Sequence, residues 1–258
     1  MSRQPSLRVV QRNEGLLERI QALKAEHPVW GYRRIWAYLR FVEQLAVNKK
    51  RIRRLLREHP LRVTLRQRLK AKRTPTRSNP KPTRPNEWWG IDMTKGLVQD
   101  VGWVSIVVVR DGYTKTIVGD QADLRSTAQH WLAALDMAVN RQCPAGVRGQ
   151  GLRLMSDNGC QPTSVGFMPA CNTLGIHQTF TSDNNPQGNA DTERMMRTLK
   201  EEHLWLQEGT CPFPLVSALG TWIEHDNVHD LHAALGYKPP RPFEREYHLS
   251  HGTQLPAA

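Results

Sequence analysis

Residues 88–123 read WWGIDMTKGLVQDVGWVSIVVVRDGYTKTIVGDQAD, and three successive β-strands can be picked out of this stretch. The segments WWGIDMT, GWVSIVVVRDGY and KTIVGDQAD are rich in β-branched and aromatic side chains, with turn-forming residues at the breaks between them. Val104 to Val109 is a nearly continuous apolar run. A strand with one wet face would alternate, so this one is expected at the centre of a sheet, covered on both faces.

Working outward in the C-terminal direction, Ser126–Asn140 predicts a helix with Ala128, Trp131, Leu132, Leu135 and Val139 along one face. A fourth strand, Leu152–Met155, runs into Ser156-Asp157-Asn158-Gly159. Beyond it a helix is expected over 164–174, a short fifth strand over Ile176–Phe180, a helix over Ala190–Leu206 and a final helix over Leu215–Val228. Three strands, then helix, strand, helix, strand, helix is the order of an α/β fold of the RNase H-like kind, a mixed sheet flanked by helices. No internal repeat is present.

In the N-terminal direction the texture is different. Residues 66–86, RQRLKAKRTPTRSNPKPTRPN, combine four prolines with many cations and little that could pack, which predicts an extended basic linker. Before it, Leu16, Leu17, Ile20 and Leu23 recur at helical spacing; after the break at His27-Pro28, so do Tyr32, Ile35, Trp36 and Leu39. A third helix is expected from Asn48, a suitable N-cap, with Ile52, Leu55 and Leu56 buried. Three short helices, the last strongly basic, suggest a small all-α helix-turn-helix domain over 1–65, a linker over 66–86 and a core with its tail over 87–250. In such a domain Lys49, Lys50, Arg51, Arg53 and Arg54 of the third helix, with Arg33 and Arg34 of the second, are the candidates for meeting DNA.

The charge supports that division. Residues 1–84 hold 23 Lys plus Arg against 5 Asp plus Glu, a balance of +18, while the other 174 residues stand at −6. Cation density of this kind fits a phosphate backbone better than a merely solvated surface. No apolar run approaches the roughly 20 residues that span a bilayer, and the polar N-terminus lacks the apolar centre of an export signal. A cytoplasmic protein at the nucleoid, with no membrane partner, is expected. Cys143, Cys160, Cys171 and Cys211 have no C-x-x-C spacing and read as reduced, non-ligand thiols.

Three carboxylates stand out. Asp92 is expected at the end of the first strand, Asp157 just past the fourth, and Glu193 in the first turns of a helix. Strand ends of an α/β sheet open into a crevice, and three acids gathered there would repel one another unless a cation joined them. Hard oxygen donors suit Mg²⁺ or Mn²⁺, and a two-ion site serves in-line phosphoryl displacement without a protein nucleophile. Any one aspartate at a strand end is more often a turn former or helix cap, and Asp100, Asp111, Asp120 and Asp123 are also available. The joint pattern singles out the three.

That pattern resembles the integrase-core catalytic domain of the DDE superfamily, which holds retroviral integrases and bacterial insertion-sequence transposases. Asp92 lies in NEWWGIDMT, similar to the family's W-x-x-D-x-T, and Asp157 in SDNG, similar to S-D-x-G. Glu193 lies 36 positions after Asp157, inside SDNNPQGNADTERMMRTLKEE, resembling the family's loop and helix with its R-x-L-K ending. HPVWGYRRI with VNKKRIRRL resembles the helix-turn-helix segment of second-reading-frame transposase proteins, and WIEHDNVHDLHAALGYKPP resembles their tail. Gly188 stands where the family usually has an aspartate, Asp226 where it has a tyrosine, and Asp230-Leu231 where it has Arg-Pro, two acids at an edge expected to meet DNA.

The resemblance implies a DNA transposase that cleaves the ends of a mobile element and joins their 3′-hydroxyls to target DNA. It implies Asp92, Asp157 and Glu193 as catalytic and metal-holding residues for two Mg²⁺ or Mn²⁺ ions, and Arg197 and Lys200 as phosphate contacts, with surface pairing to Glu193 or Glu201 as the alternative for these two cations. It further implies partners in terminal-repeat DNA, target DNA and further copies of the chain, with either this chain or a frameshift fusion to an upstream-frame partner as the working form. Two other readings remain open at this point: a DNA-binding regulator with an inert core, and a nuclease that hydrolyses without joining. His225, His229 and His232, spaced i, i+4 and i+7, invite a zinc site, although the helix carrying them is expected to fray near Asp230-Leu231.

Overall fold

A computed structural model describes residues 7–59, 61, 81–98, 102–180, 190–204 and 212–253. The chain falls into two compact units, Met1–Arg73 and Thr74–Ala258. Residues 66–80 of the stretch read as a linker, 66–86, lie outside the described residues, as do 62–65 before it and Asp100, Gly188 and Cys211.

In the first unit α1 (Leu7–Glu26), α2 (Tyr32–Ala37) and α3 (Lys49–Glu58) enclose one apolar cluster. Ile20 and Leu23 come from α1, Ile35 from α2, Leu39 from the wider turn that continues it, and Ile52, Leu55 and Leu56 from α3. Asn48 caps α3, its side chain accepting from the Lys50 amide at 2.8 Å. These are the residues whose helical spacing predicted the cluster.

The second unit is built on a five-stranded sheet in the order β3-β2-β1-β4-β5. Its strands are β1 (Trp88–Val98), β2 (Gly102–Asp111), β3 (Ile117–Asp123), β4 (Arg153–Ser156) and β5 (His177–Phe180). β1, β2 and β3 pair antiparallel, whereas β4 and β5 run parallel to β1. This is the expected mixed sheet, and the unit has the RNase H-like fold.

Side chains alternate across the sheet, so β2 feeds two cores. Val107 and Val109 join Trp89 and Ile91 of β1 beneath α4 (Ala128–Gln142) and α5 (Phe167–Leu174), where Trp131, Leu135, Phe167 and Cys171 are buried. Ile106 and Val108 face the other way, against Met195, Met196 and Leu199 of α6 (Ala190–Leu199) and Leu219 and Ile223 of α7 (Pro212–Val228). Burial on both faces explains the unbroken apolar run. On α4 the buried stripe is Trp131, Ala134, Leu135, Ala138 and Val139; Ala128 and Leu132 are only half-buried. The small residues let β3 approach closely: a Cβ at Gly119 would fall 2.2 Å from the Ala134 carbonyl oxygen.

Two expectations are corrected. β1 does not end at Thr94 but continues to Val98 in a long hairpin with β2, because Thr94, Gly96 and Val98 still turn inward. Asp92 is therefore mid-strand. Leu215–Val228 is also not the final helix, since α8 (Pro240–His251) follows, its start set by Pro240 and its end by Gly252 in the left-handed conformation.

Candidate active site

The sheet register brings Asp92 and Asp157 level. β4 pairs with β1 only from Trp88–Arg153 to Gly90–Met155. Two residues further along both strands lie Asp92 and Asp157, just where β4 has ended and that edge of β1 is open. The strand end expected beside these residues is thus that of β4 and not that of β1. Asp157 is exposed, and its Oδ1 accepts from the Gly159 amide at 3.1 Å, which fixes the turn carrying it.

Asp92 is half-buried and faces the α6 side of the sheet, as Thr94, Gly96 and Val98 do. Burial pushes its carboxyl up to about 6 from the ordinary 3.8, and the charges of Asp157 and Glu193 push the same way. The Met93 amide, donating to Oδ1 at 2.8 Å, and the Lys200 ammonium pull it down. Glu193 is exposed on α6, whose opposite side buries Met195, Met196 and Leu199. Asp157 and Glu193 therefore both bear on Asp92 at the open edge of β1, and Lys200 bears on it with the opposite sign. The three acids stand apart, however: among the described residues no three His, Cys, Asp or Glu side chains are drawn close enough to form a ready cation cage. The donors are nonetheless of the right kind, since carboxylate oxygens around a desolvated acid suit a small hard cation.

Lys200 sits in the wider turn that prolongs α6, half-buried, and Arg197 is exposed one turn before it. The other aspartates have structural work. The buried Asp111 accepts from the Asn86, Tyr113 and Thr114 amides at 2.7–2.8 Å and shapes the turn between β2 and β3. Asp120 pairs with Arg141 at 3.7 Å and Asp123 with His130 at 3.1 Å.

In the first unit, Lys50, Arg53 and Arg54 of α3 and Arg33 of α2 are exposed. Arg53 and Arg33 lie over the Tyr32 ring at 5.7 Å, and Arg54 is 3.7 Å from Glu58. Lys49, half-buried, rests 3.9 Å from the Trp36 ring; Arg51 is tied to α1 by a 3.0 Å hydrogen bond to Asn13, and Arg34 is half-buried. The candidate cations thus divide into an outward group and a group partly engaged in holding the helices.

The three histidines do not converge. His225 and His229 have ring centroids 5.3 Å apart, but His232 turns inward, with Nε2 3.5 Å from Asp226 and Nδ1 3.4 Å from Arg110. Nor do the two tail acids face DNA: Asp226 and Asp230 are 2% and 7% exposed. Asp226 lies beside Arg110, and Asp230 is 3.6 Å from His225. Sequence reading missed Arg110, whose signal was a lone cation closing an apolar strand. Cys143 and Cys171 are buried free thiols, pushed up by burial to about 11 and about 12; Cys160 is free and exposed.

Residues 11–68 match the HTH-like domain family and residues 82–186 the Integrase core domain family. The second match takes in Asp92 and Asp157 and stops short of Glu193. Residues 82–186, which hold all five strands of the sheet, thus resemble an integrase core, and residues 11–68 before them an HTH-like domain. The uncharacterized 39.2 kDa protein of insertion element IS476 from Xanthomonas euvesicatoria is 28% identical over 91% of this chain, which spans 66% of that relative. The 31.7 kDa protein of IS407 from Burkholderia multivorans is 27% identical (95% and 86%), and transposase InsD for IS2D of Escherichia coli is 22% identical (90% and 78%). The chain is thus similar over most of its length to proteins of insertion elements, a named transposase among them. Among solved structures, the catalytic core domain of BIV integrase is 21% identical over 65% of this chain and 99% of its own, with a TM-score of 0.49. The HTLV-2 integrase catalytic core domain in complex with magnesium is 18% identical (59% and 93%), TM-score 0.44. No helix among the described residues is long and apolar enough to cross a membrane.

Proposed function

We propose that the protein cleaves the ends of a mobile DNA element and joins their 3′-hydroxyls to target DNA, with Asp92, Asp157 and Glu193 as its catalytic carboxylates. The observation that carries this reading is the register that sets Asp92 level with Asp157 at the open edge of β1, with Asp92 raised first by its burial and then by the charges of Asp157 and Glu193. Asp92, Asp157 and Glu193, drawn together, would hold two Mg²⁺ or Mn²⁺ ions. Such ions, when bound, supply Lewis-acid activation of the attacking oxygen and charge stabilisation of the departing one.

The chain's own side chains do the rest. Lys200, already beside Asp92, and Arg197 hold a phosphate at the site and orient the scissile strand. The outward cations Arg33, Lys50, Arg53 and Arg54, joined by Arg34, Lys49 and Arg51, bind the DNA backbone and keep the element end bound while the core acts. The functional division is 1–65 for recognition, 66–86 for a basic linker and 87–250 for chemistry. Joining two element ends calls for at least two copies, so the working form is a homo-oligomer acting on DNA at the nucleoid.

The test supplies terminal-repeat DNA and target DNA with Mg²⁺ or Mn²⁺ to wild type and Asp157→Asn. Strand-transfer product should disappear in the variant while terminal-repeat binding persists. Equal product from both would overturn the assignment, and cleavage without joining by wild type would make the protein a nuclease.

A further inference from the structure

Between the C-terminal segment and α6 lies a buried polar chain that neither packing nor the carboxylates explain. Arg110, 7% exposed at the end of β2, directs its guanidinium three ways. Nε donates to the Lys115 carbonyl at 2.9 Å, Nη1 donates to the Asp191 carbonyl at 3.0 Å, and Nη2 lies 3.4 Å from His232 Nδ1. The buried carboxylate of Asp226 supplies its counter-charge and also lies 3.5 Å from His232 Nε2. A second cation, Lys115, reaches the same helix, its Nζ donating to the Asp191 carboxylate at 2.5 Å. Lys115 stands in the left-handed region, at a φ of 65°, and its Nζ also donates to the Gly112 carbonyl at 2.5 Å. The anchorage continues into the sheet: Asn227, next to Asp226, accepts from the Ile117 amide at 2.8 Å and donates to the Ile117 carbonyl at 3.0 Å.

Both cations thus seize α6 at one residue, Asp191, two positions before Glu193. Successive residues turn by about 100°, so Asp191 and Glu193 point to nearly opposite sides of the helix, with the buried Thr192 between them. A helix gripped on one side cannot roll without swinging the other. A roll of about 20° would carry a carboxylate about 5 Å from the axis through nearly 2 Å. That is a large error for a group that must meet Asp92 and Asp157 across the open edge of β1.

We propose that Arg110 and Lys115, backed by Asp226 and His232, are positioning residues that clamp the first turn of α6 and so set the placement of Glu193 at the active site. This rests on the three-carboxylate reading above. It gives the inward-turned tail acid Asp226 a task, as the counter-charge that keeps a buried guanidinium in register with the helix.

The experiment uses the full chain with terminal-repeat DNA and four variants: Lys115→Met, Asp191→Asn, the exchange Lys115→Glu with Asp191→Lys, and Glu193→Gln. Each clamp single should lower the strand-transfer kcat by about 10- to 100-fold, the scale of an ångström-sized misplacement. DNA affinity without metal should stay within about twofold and Tm within a few degrees. The Mn²⁺ concentration giving half-maximal thermal stabilisation should rise in both singles, a readout independent of turnover, and the exchange should recover much of both losses. Unchanged kcat and Mn²⁺ midpoints in both singles would overturn the clamp, as would losses that only track lost DNA binding or unfolding. Wild-type transfer by Glu193→Gln would instead sink the three-carboxylate reading. Loss in that variant beside normal Lys115→Met leaves the reading standing and removes the clamp. Arg110→Met removes a fully buried group and is used only as a corroborating variant.

Discussion

Replacing Asp92 by Asn should stabilise the metal-free protein while abolishing strand transfer. The carboxyl is raised from 3.8 to about 6, first by burial and then by the charges of Asp157 and Glu193. The sign follows from linkage. Below about pH 4 Asp92 is protonated both folded and unfolded, so it imposes no penalty; as pH rises towards 6 the unfolded chain releases the proton more readily, and folded stability is lost until the folded group has also ionised. A shift of about two units at about 1.4 kcal/mol each gives an upper bound of about 3 kcal/mol above pH 7. Asp92 is only half-buried and solvent screens its neighbours, so about 1–2 kcal/mol is the expected effect.

Asn keeps the shape and the oxygen that accepts from the Met93 amide, and removes only the charge. In EDTA at pH 8, Asp92→Asn should melt about 2–8 °C above wild type, using about 2–4 °C per kcal/mol for a unit of this size. At pH 4 the two should melt together. Saturating Mn²⁺ should raise the wild-type Tm more than that of the variant, closing or reversing the gap. A variant less stable than wild type at pH 8, or a gap that persists unchanged at pH 4, would refute the claim that a strained, ionised Asp92 is held in this site.

Gly119→Ala should cost about 2 kcal/mol or more in urea unfolding, because the new methyl meets the Ala134 carbonyl oxygen and backbone cannot step aside. Asn48→Ala removes the cap of α3 and should cost about 1 kcal/mol in the first unit, seen as a lower unfolding midpoint and weaker binding to terminal-repeat DNA. Lys50→Gln, at an exposed cation, should weaken DNA binding for all sequences alike and flatten the slope of log K against log salt by about 0.9; an unchanged slope would mean Lys50 does not touch phosphate.

Much of the fold was legible because each signal was local. Val104–Val109 announced a strand buried on both faces, and the spacing of Ile52, Leu55 and Leu56 announced the buried side of α3. The length of β1 was not legible, because a long hairpin is fixed by pairing with β2 and by Leu204 closing on Gly96, both non-local. The three candidate carboxylates can be picked out of the sequence, but the register that sets Asp92 level with Asp157 cannot. Placing Asp92 opposite Asp157 needs the two-residue continuation of a parallel register, and the register of β4 is set by the loops that deliver it.

The tail shows why spacing can mislead about charge. Asp226 and Asp230 stand in a polar segment among histidines, at an edge that the family resemblance expects to meet DNA. Both are buried, because burial of a charge is decided by what else is buried beside it. Arg110 had to be covered once β2 was covered on both faces, and a guanidinium withdrawn from water needs an opposite charge within reach. Asp226 meets that need, and a tyrosine at its place could give a hydrogen bond but no charge. The departure at Asp226 is therefore best understood together with Arg110. Asp226→Tyr alone should leave a buried guanidinium unpaired and cost several kcal/mol, about 3–5 by the measure of broken buried pairs, whereas Asp226→Tyr with Arg110→Met should recover much of that loss in urea unfolding. If the single and double substitutions prove equally destabilising, the two residues are not coupled, and the tail acid is retained for a reason other than this charge pair.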